Sequence, residues 1–295
     1  MQEKILLRSF MFLPAYNTRF IDKALESDAD ALILDMEDSV PASQRQLARE
    51  NIIQYSEKGL LDKKNIFIRI NEFNTKDFAE DITQLTVQGV NGFMPSKVQS
   101  AEDIVFIDKL LSVMEIKNNM EKGTFKLTPL IETTSALMNI NEIAKSSRRL
   151  LALCFGGEDY LNDLGSTYTY QESAFVVPRS LIATAARAEG LLPIDTPYLN
   201  IPDLQGFEER ETEAYKNGFA GCLILNPKQI DSANRVFSPT KEKVEYSKKV
   251  IEAVKIAESE NQSGVAMLDG AMVGPPMKKR AQTVLEQWEL IKGEE

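Results

Sequence analysis

The sequence predicts an α/β protein built as a (β/α)8 TIM barrel with a C-terminal helical lid extension. Three observations lead there. Short apolar runs alternate with amphipathic stretches along most of the 295 residues, the pattern of strand-helix units wound around a parallel sheet. The runs number eight, whereas an open doubly wound sheet more often has about five to seven strands. Neither a G-x-G-x-x-G fingerprint nor a P-loop is present, so the phosphate-binding turn of an open dinucleotide fold is missing.

The apolar runs place strands at 10–14, 31–35, 66–70, 92–98, 127–131, 150–155, 191–194 and 222–225. Helical spacing is clearest at 43–58, 101–117, 135–147, 179–189 and 203–217. Gly59, Gly190 and Gly218 stand at helix stop positions, where a left-handed residue closes the last turn. Pro178 fits the first turn of a helix. After the eighth unit the pattern changes to a long charged helix at 238–260, a glycine-rich segment at 264–276 and a last helix to about residue 292. The expected division is a barrel over 1–237 and C-terminal helices with a lid segment over 238–295. The glycine-rich segment reads either as a hinged flap or as a plain surface loop.

Composition narrows the chemistry. The formal charge is -10 and no basic stripe is found, which argues against nucleic acid. No stretch is long and apolar enough for a membrane span, and the first residues lack the features of a secretory signal, so the expected location is cytoplasmic. Cys154 and Cys222 sit in apolar runs and read as buried small hydrophobes. The chain contains no histidine. This removes the commonest general base and the commonest transition-metal ligand, and leaves Mg2+ or Mn2+ on carboxylate oxygens as the metal to expect, if any is bound.

In a β/α barrel, chemistry sits where strands end and loops begin. The polar residues after the apolar runs are Asp35, Glu37 and Asp38, then Arg69 and Asn71, Lys97, Glu132 and Thr133, Glu158 and Asp159, and Asn226. Glu132 and Asp159 lie about one β-α unit apart, which puts them at the same rim on neighbouring strands, within reach of one cation; alternatively, each caps the helix that follows. Arg69 offers a planar fork for a carboxylate, or a structural ion pair with Glu37 or Asp38. Glu37 is a candidate catalytic acid, with a capping or supporting role as its alternative. Asp195 reads as a turn former.

These segments also resemble a known family. Arg8-Ser9 before an apolar run ending at Pro14, Leu34-Asp-Met-Glu-Asp-Ser-Val40, Ile68-Arg-Ile-Asn71, Lys97-Val98, Leu130-Ile-Glu-Thr133, Phe155-Gly-Gly-Glu-Asp-Tyr160, Asp195-Thr-Pro-Tyr198, Asn226-Pro-Lys-Gln229 and Leu268-Asp-Gly270 occur in order along the chain. Together they resemble the citrate lyase beta subunit and its stand-alone relatives, the malyl-CoA and citramalyl-CoA lyases, in the HpcH/HpaI aldolase superfamily. The resemblance implies a barrel that is commonly trimeric, with Mg2+ on Glu132 and Asp159. It assigns Arg69 to the α-keto acid carboxylate and places Asp269 on a lid that reaches a neighbouring subunit's site. The sequence departs from the pattern at Ala15, Ser96, Gln99 and Asn226, where the family has glycine, proline, often glutamate and usually histidine.

The function implied is cleavage or formation of a carbon-carbon bond: a 3-hydroxy-3-carboxyacyl thioester exchanges with an α-keto acid (oxaloacetate, pyruvate or glyoxylate) and an acyl thioester. The thioester carrier is CoA or an acyl carrier protein, and Arg19 and Lys23 are the candidate phosphate contacts. Two alternatives remain at this level: thioester hydrolase or synthase chemistry on the same site, and a subunit that works only inside a citrate-lyase-like complex.

Overall fold

A computed structural model of the protein describes residues 5–166, 173–260 and 264–294. The chain divides into two compact units, Leu7–Arg235 and a smaller one from Val236 onward that includes Ile5 and Leu6.

The larger unit begins with β1 (Ser9–Pro14), α1 (Thr18–Leu25), β2 (Ala31–Asp35), α2 (Arg45–Glu57), β3 (Asn65–Ile70), α3 (Lys76–Gln84), β4 (Gly92–Pro95) and α4 (Ala101–Lys117). It continues with β5 (Lys126–Leu127), β6 (Leu130–Ile131), α5 (Thr134–Met138), α6 (Ile140–Lys145), β7 (Ala152–Phe155), α7 (Gly157–Leu164), α8 (Val176–Ala188), β8 (Leu192–Asp195), α9 (Leu204–Lys216), β9 (Gly221–Ile224) and α10 (Ile230–Val236). All strand pairs in this sheet are parallel, in the order β5-β4-β3-β2-β1-β9-β8-β7-β6. Strands such as β2 and β7 are buried along their whole length, as expected where helices cover one face of a parallel sheet and the interior covers the other.

The two ends of that order are successive halves of one run. Thr128 and Pro129 separate β5 from β6, and Pro129 has no N–H to give the ladder. Its carbonyl still accepts from Cys154 N, and Leu127 bridges Leu150 in parallel. The segment 126–131 therefore joins β4 on one side and β7 on the other, and the sheet closes on itself in a TIM-barrel-like arrangement. The expected fifth strand is thus one strand interrupted at a proline.

Other elements follow their local chemistry. Asn17, Thr75 and Asp203 accept backbone N–H groups at the starts of α1, α3 and α9, and Ser100 with Asp103 forms a capping box on α4. The helix expected at 135–147 is split at Asn139 into α5 and α6. Pro178 falls in the first turn of α8, which starts at Val176, earlier than expected.

Buried ion pairs tie helices to the wall. Arg149 donates to Asp108 at 2.6 Å and to Glu115 at 2.6 and 2.7 Å, linking α4 to the turn before β7. Arg49 spans Asp77 and Asp81 between α2 and α3.

In the smaller unit α11 (Lys241–Glu260) and α12 (Pro275–Glu294) pack around Val250, Val254, Val273 and Ala281. The glycine-rich segment is not a plain loop in its local structure. It forms an antiparallel hairpin, β10 (Ala266–Leu268) with β11 (Ala271–Val273). Asp269 and Gly270 make its two-residue turn with φ of 49° and 80°, the left-handed pair that a tight Asp-Gly hairpin turn demands. No described helix is long and apolar enough to cross a membrane.

Arg149 supplies a test of the wall. Its replacement leaves the fully buried Glu115 carboxylate uncompensated, and breaking such a pair costs about 3–5 kcal/mol. Arg149→Met is expected to lower the unfolding free energy by that amount in urea titrations, whereas surface Lys216→Met is expected to change it by less than about 1 kcal/mol.

Candidate active site

The polar strand ends converge at the mouth where β2, β3, β4, β6 and β7 give way to their loops. Glu132 follows β6 and is 2% exposed. Its Oε1 accepts the backbone N–H of Lys97 at 2.5 Å. Behind it stands Gly156, the residue before α7, where a Cβ would fall 2.5 Å from both Cβ and Oε2 of Glu132. Burial pushes the Glu132 carboxyl up to about 8; the Lys97 N–H and Arg69 oppose the rise, and the carboxylates of Asp159 and Glu37 add to it. Asp159 is thus close enough to repel Glu132 through space.

The capping alternative does not describe these two acids. Thr133, not Glu132, caps α5 by accepting from Ala136 N at 3.0 Å. The residue at the start of α7 is Gly156, and no side chain caps that helix. Asp159 lies in its first turn. A further tie holds the two loops together, because Asp163 of α7 accepts both the N–H and the hydroxyl of Thr134 at 2.6 Å.

Arg69, near the end of β3, is fixed chiefly by Asp35, a residue the sequence did not single out as its partner. Nε and Nη2 donate to the two Asp35 oxygens at 2.6 and 2.7 Å. Nη1 reaches Asp38 at 3.1 Å and Glu37 at 3.3 Å, and the guanidinium lies 4.9 Å from the centre of the Phe12 ring. Burial works to raise the Asp35 carboxyl, but Arg69, Ser39 and the Glu37 N–H hold it below its usual range. Glu37 moves the other way, raised by burial although Arg69, Ser96 and Lys97 pull against that. Ser96 Oγ donates to Glu37 Oε1 at 3.0 Å, and Lys97 Nζ lies 3.7 Å from the same oxygen.

Other expectations fall elsewhere. Asp195 is a fully buried ion-pair partner of Arg179 at 3.0 Å, not a turn former. Asn226 caps the short turn after β9, accepting from Lys228 N, while Gln229 reaches back to Leu225 N and Asn226 N. Arg19 and Lys23 are exposed one turn apart on α1, which leaves the mouth after β1. Asp269 belongs to the smaller unit, at the hairpin tip already described. Both cysteines are free and buried.

The residues present suit a hard divalent cation. The Glu132 carboxyl is buried near two further carboxylates, and Arg69, whose charge acts on it, is already committed to Asp35. Among the described residues no group of three or more acidic, histidine or cysteine side chains is arranged to hold an ion by itself, so Glu132 and Asp159 would leave the remaining positions to water and substrate oxygens, a normal Mg2+ arrangement.

Asp35 and Lys97 stand among the polar strand-end residues in the sequence, and Ser96 and Gly156 within its motifs, but the sequence assigns none of them a role in this site. They act through a buried ion pair (Asp35), a backbone N–H (Lys97), a hydroxyl (Ser96) and a missing Cβ (Gly156). The available signal was the segment Leu34 to Val40 and the pair of glycines before Glu158.

Fold and site together define a TIM-barrel-like protein with carboxylates gathered at its strand ends. The chain belongs to the HpcH/HpaI aldolase/citrate lyase family, which it matches over residues 8–227. It is 29% identical over 282 residues to the citrate lyase subunit beta of Haemophilus influenzae, covering 96% of this chain and 97% of that one. It is 28% identical to the L-malyl-CoA/beta-methylmalyl-CoA lyase of Rhodobacter capsulatus, over 97% of this chain and 96% of that protein. Among solved structures, CitE from Mycobacterium tuberculosis in complex with magnesium, acetoacetate and coenzyme A superposes with a TM-score of 0.76, at 28% identity over 95% of this chain and 97% of that one.

Two outcomes follow from the Glu132 environment. Gly156→Ala is expected to displace the carboxylate, costing about 1–3 kcal/mol through overpacking and weakening Mn2+ binding measured by electron paramagnetic resonance. The second concerns pH. Between the ordinary 4.5 and the folded value of about 8, the folded cation-free protein keeps a proton that the unfolded chain has lost, so this carboxyl stabilises fully below about 4.5 and its contribution is lost as pH rises through about 8. In EDTA, Glu132→Gln is therefore expected to melt above the parent protein, by a margin that opens across that window. Saturating Mg2+ is expected to close it.

Proposed function

We propose that this protein is a magnesium-dependent carbon-carbon lyase that cleaves a 3-hydroxy-3-carboxyacyl thioester into an α-keto acid and an acyl thioester, or joins them in reverse. The observation that carries the reading is the buried Glu132 carboxylate with Asp159 beside it and its own cationic neighbour already engaged. Support comes from family membership and from relatives named for malyl-CoA cleavage and for the citrate lyase beta subunit. A related structure holds magnesium with oxaloacetate, the kind of keto acid proposed here.

In this reading Glu132 and Asp159 hold the cation. Once bound, it supplies a Lewis acid that acidifies the substrate hydroxyl and offsets charge on the oxygen that becomes the keto group. The chain's own residues do the rest. Arg69, held in orientation by Asp35, keeps Nη1 for the substrate carboxylate, which displaces the largely exposed Asp38 from it. Glu37 has both oxygens engaged, by Ser96 and Lys97 on one side and Arg69 on the other, which suits a positioning role better than proton transfer. As the carbon-carbon bond breaks, its electron pair passes to the thioester α-carbon and the hydroxyl proton is released to solvent. The resulting enolate takes a proton from Asp269, delivered by the 266–273 hairpin acting as a lid in a homotrimer. The exposed Met267 and Met272, paired across that hairpin, offer an adaptable apolar face for such closure. Arg19 and Lys23 meet the phosphates of CoA or of an acyl carrier protein's prosthetic arm. A cytoplasmic location belongs to the same reading, supported by two free buried thiols.

Purified protein with Mg2+ and malyl-CoA, citramalyl-CoA or citryl-CoA is expected to release a keto acid from one of them. Glu132→Gln and Asp159→Asn are expected to lower kcat by about 100- to 1000-fold, the scale of losing a principal transition-state charge stabiliser. Arg69→Lys, which loses the fork, is expected to raise KM for the thioester and lower kcat together. Free CoA without keto acid indicates thioester hydrolysis instead, and no release from any substrate by folded trimer overturns the assignment.

A further inference from the structure

Lys97 is one of four described non-glycine residues with positive φ, and one of two, with Asn74, in the loops that follow the barrel strands; its φ is 50°. The left-handed region is uncommon for residues with a side chain, and such conformations persist where surrounding structure holds them. Here the conformation has a visible consequence. The chain leaves β4 at Pro95, and within two residues it presents the Lys97 N–H inward to Glu132 Oε1 at 2.5 Å. The Lys97 side chain goes the other way, toward Glu72 at 3.5 Å and Glu37 at 3.7 Å, and is 35% exposed.

We infer that Lys97 is a positioning residue whose backbone, through its left-handed turn, sets the orientation of Glu132 as a cation ligand. The inference rests on the reading of Glu132 as that ligand and adds a residue to it. The N–H donor fixes one carboxylate oxygen and leaves Oε2, against Gly156, to face the cation. Because the amide rather than the ammonium does this, the side chain is replaceable so long as the new residue tolerates positive φ. Glycine does so freely, unbranched methionine about as well as lysine, and β-branched valine poorly.

The test is Mn2+ binding to the full-length protein by electron paramagnetic resonance, with folding checked by circular dichroism and the unfolding midpoint. Lys97→Val is expected to weaken Mn2+ at least about tenfold, the scale of losing a hydrogen bond to a charged group, with Lys97→Thr as a smaller β-branched variant should valine prevent folding. Lys97→Gly and Lys97→Met are expected to stay within about threefold of the parent, or to bind more tightly because a nearby positive charge is gone. A purely electrostatic role for the lysine predicts tighter binding in all four. A purely structural role moves the unfolding midpoint of the β-branched variants without moving their Mn2+ affinity. Either result overturns the inference, as does equal weakening in Lys97→Gly and Lys97→Val. Parent protein that binds Mn2+ no better than Glu132→Gln overturns the cation reading itself, and the inference with it.

Discussion

The site depends on keeping a carboxylate out of water without a side-chain cation of its own. Glu132 is almost fully buried, and isolated burial of a carboxylate is among the costliest things a fold can do. The described contacts give it one amide hydrogen bond, and the push of two neighbouring acids works against it. Left so, the group holds its proton toward neutral pH. In the function proposed above, a bound divalent cation would reverse that balance.

Asp35 shows the contrast inside the same mouth. It is as deeply buried as Glu132, yet the Arg69 fork on both its oxygens keeps it ionised. One buried acid has a permanent cation and the other does not. In the proposed reading the distinction gives them different work: Asp35 aims an arginine, and Glu132 takes its positive charge from the bound cation. The turn after β4 connects the two halves, since Ser96 holds Glu37 on the Arg69 side through its hydroxyl and Lys97 holds Glu132 through its amide.

What could be read from sequence follows from how each feature is encoded. Strands buried on both faces must be apolar throughout, so the alternation of runs revealed the barrel and most strand boundaries within a residue or two. The interruption at Pro129 is also encoded locally, by a missing N–H, although a run of apolar neighbours conceals it. The hairpin at 266–273 is announced by Asp269-Gly270, but abundant glycine nearby reads as irregular loop. The candidate ligands were visible because acids at strand ends are unusual. Their supports were not: the Lys97 contact is made by backbone, the Gly156 contribution is an absent atom, and the Asp35 pair requires knowing which of three clustered acids takes Nε and Nη2 of Arg69 on its two oxygens. Periodicity carries no information about any of these.

The departures from the family pattern can be judged by the same physics. At position 96 serine provides a hydroxyl that reaches Glu37, a contact that proline has no group to make. Asn226 is another matter. Its side chain caps the turn after β9, and Gln229 ties that turn both to its own start and to Tyr198 O after β8. Asparagine is well suited to such a cap, so the loop keeps its shape through a set of bonds that no histidine is needed to make. A change at this position therefore alters the chemical group at the end of β9, while the bonds from Gln229 to Leu225 N, Asn226 N and Tyr198 O that hold the turn do not depend on its side chain.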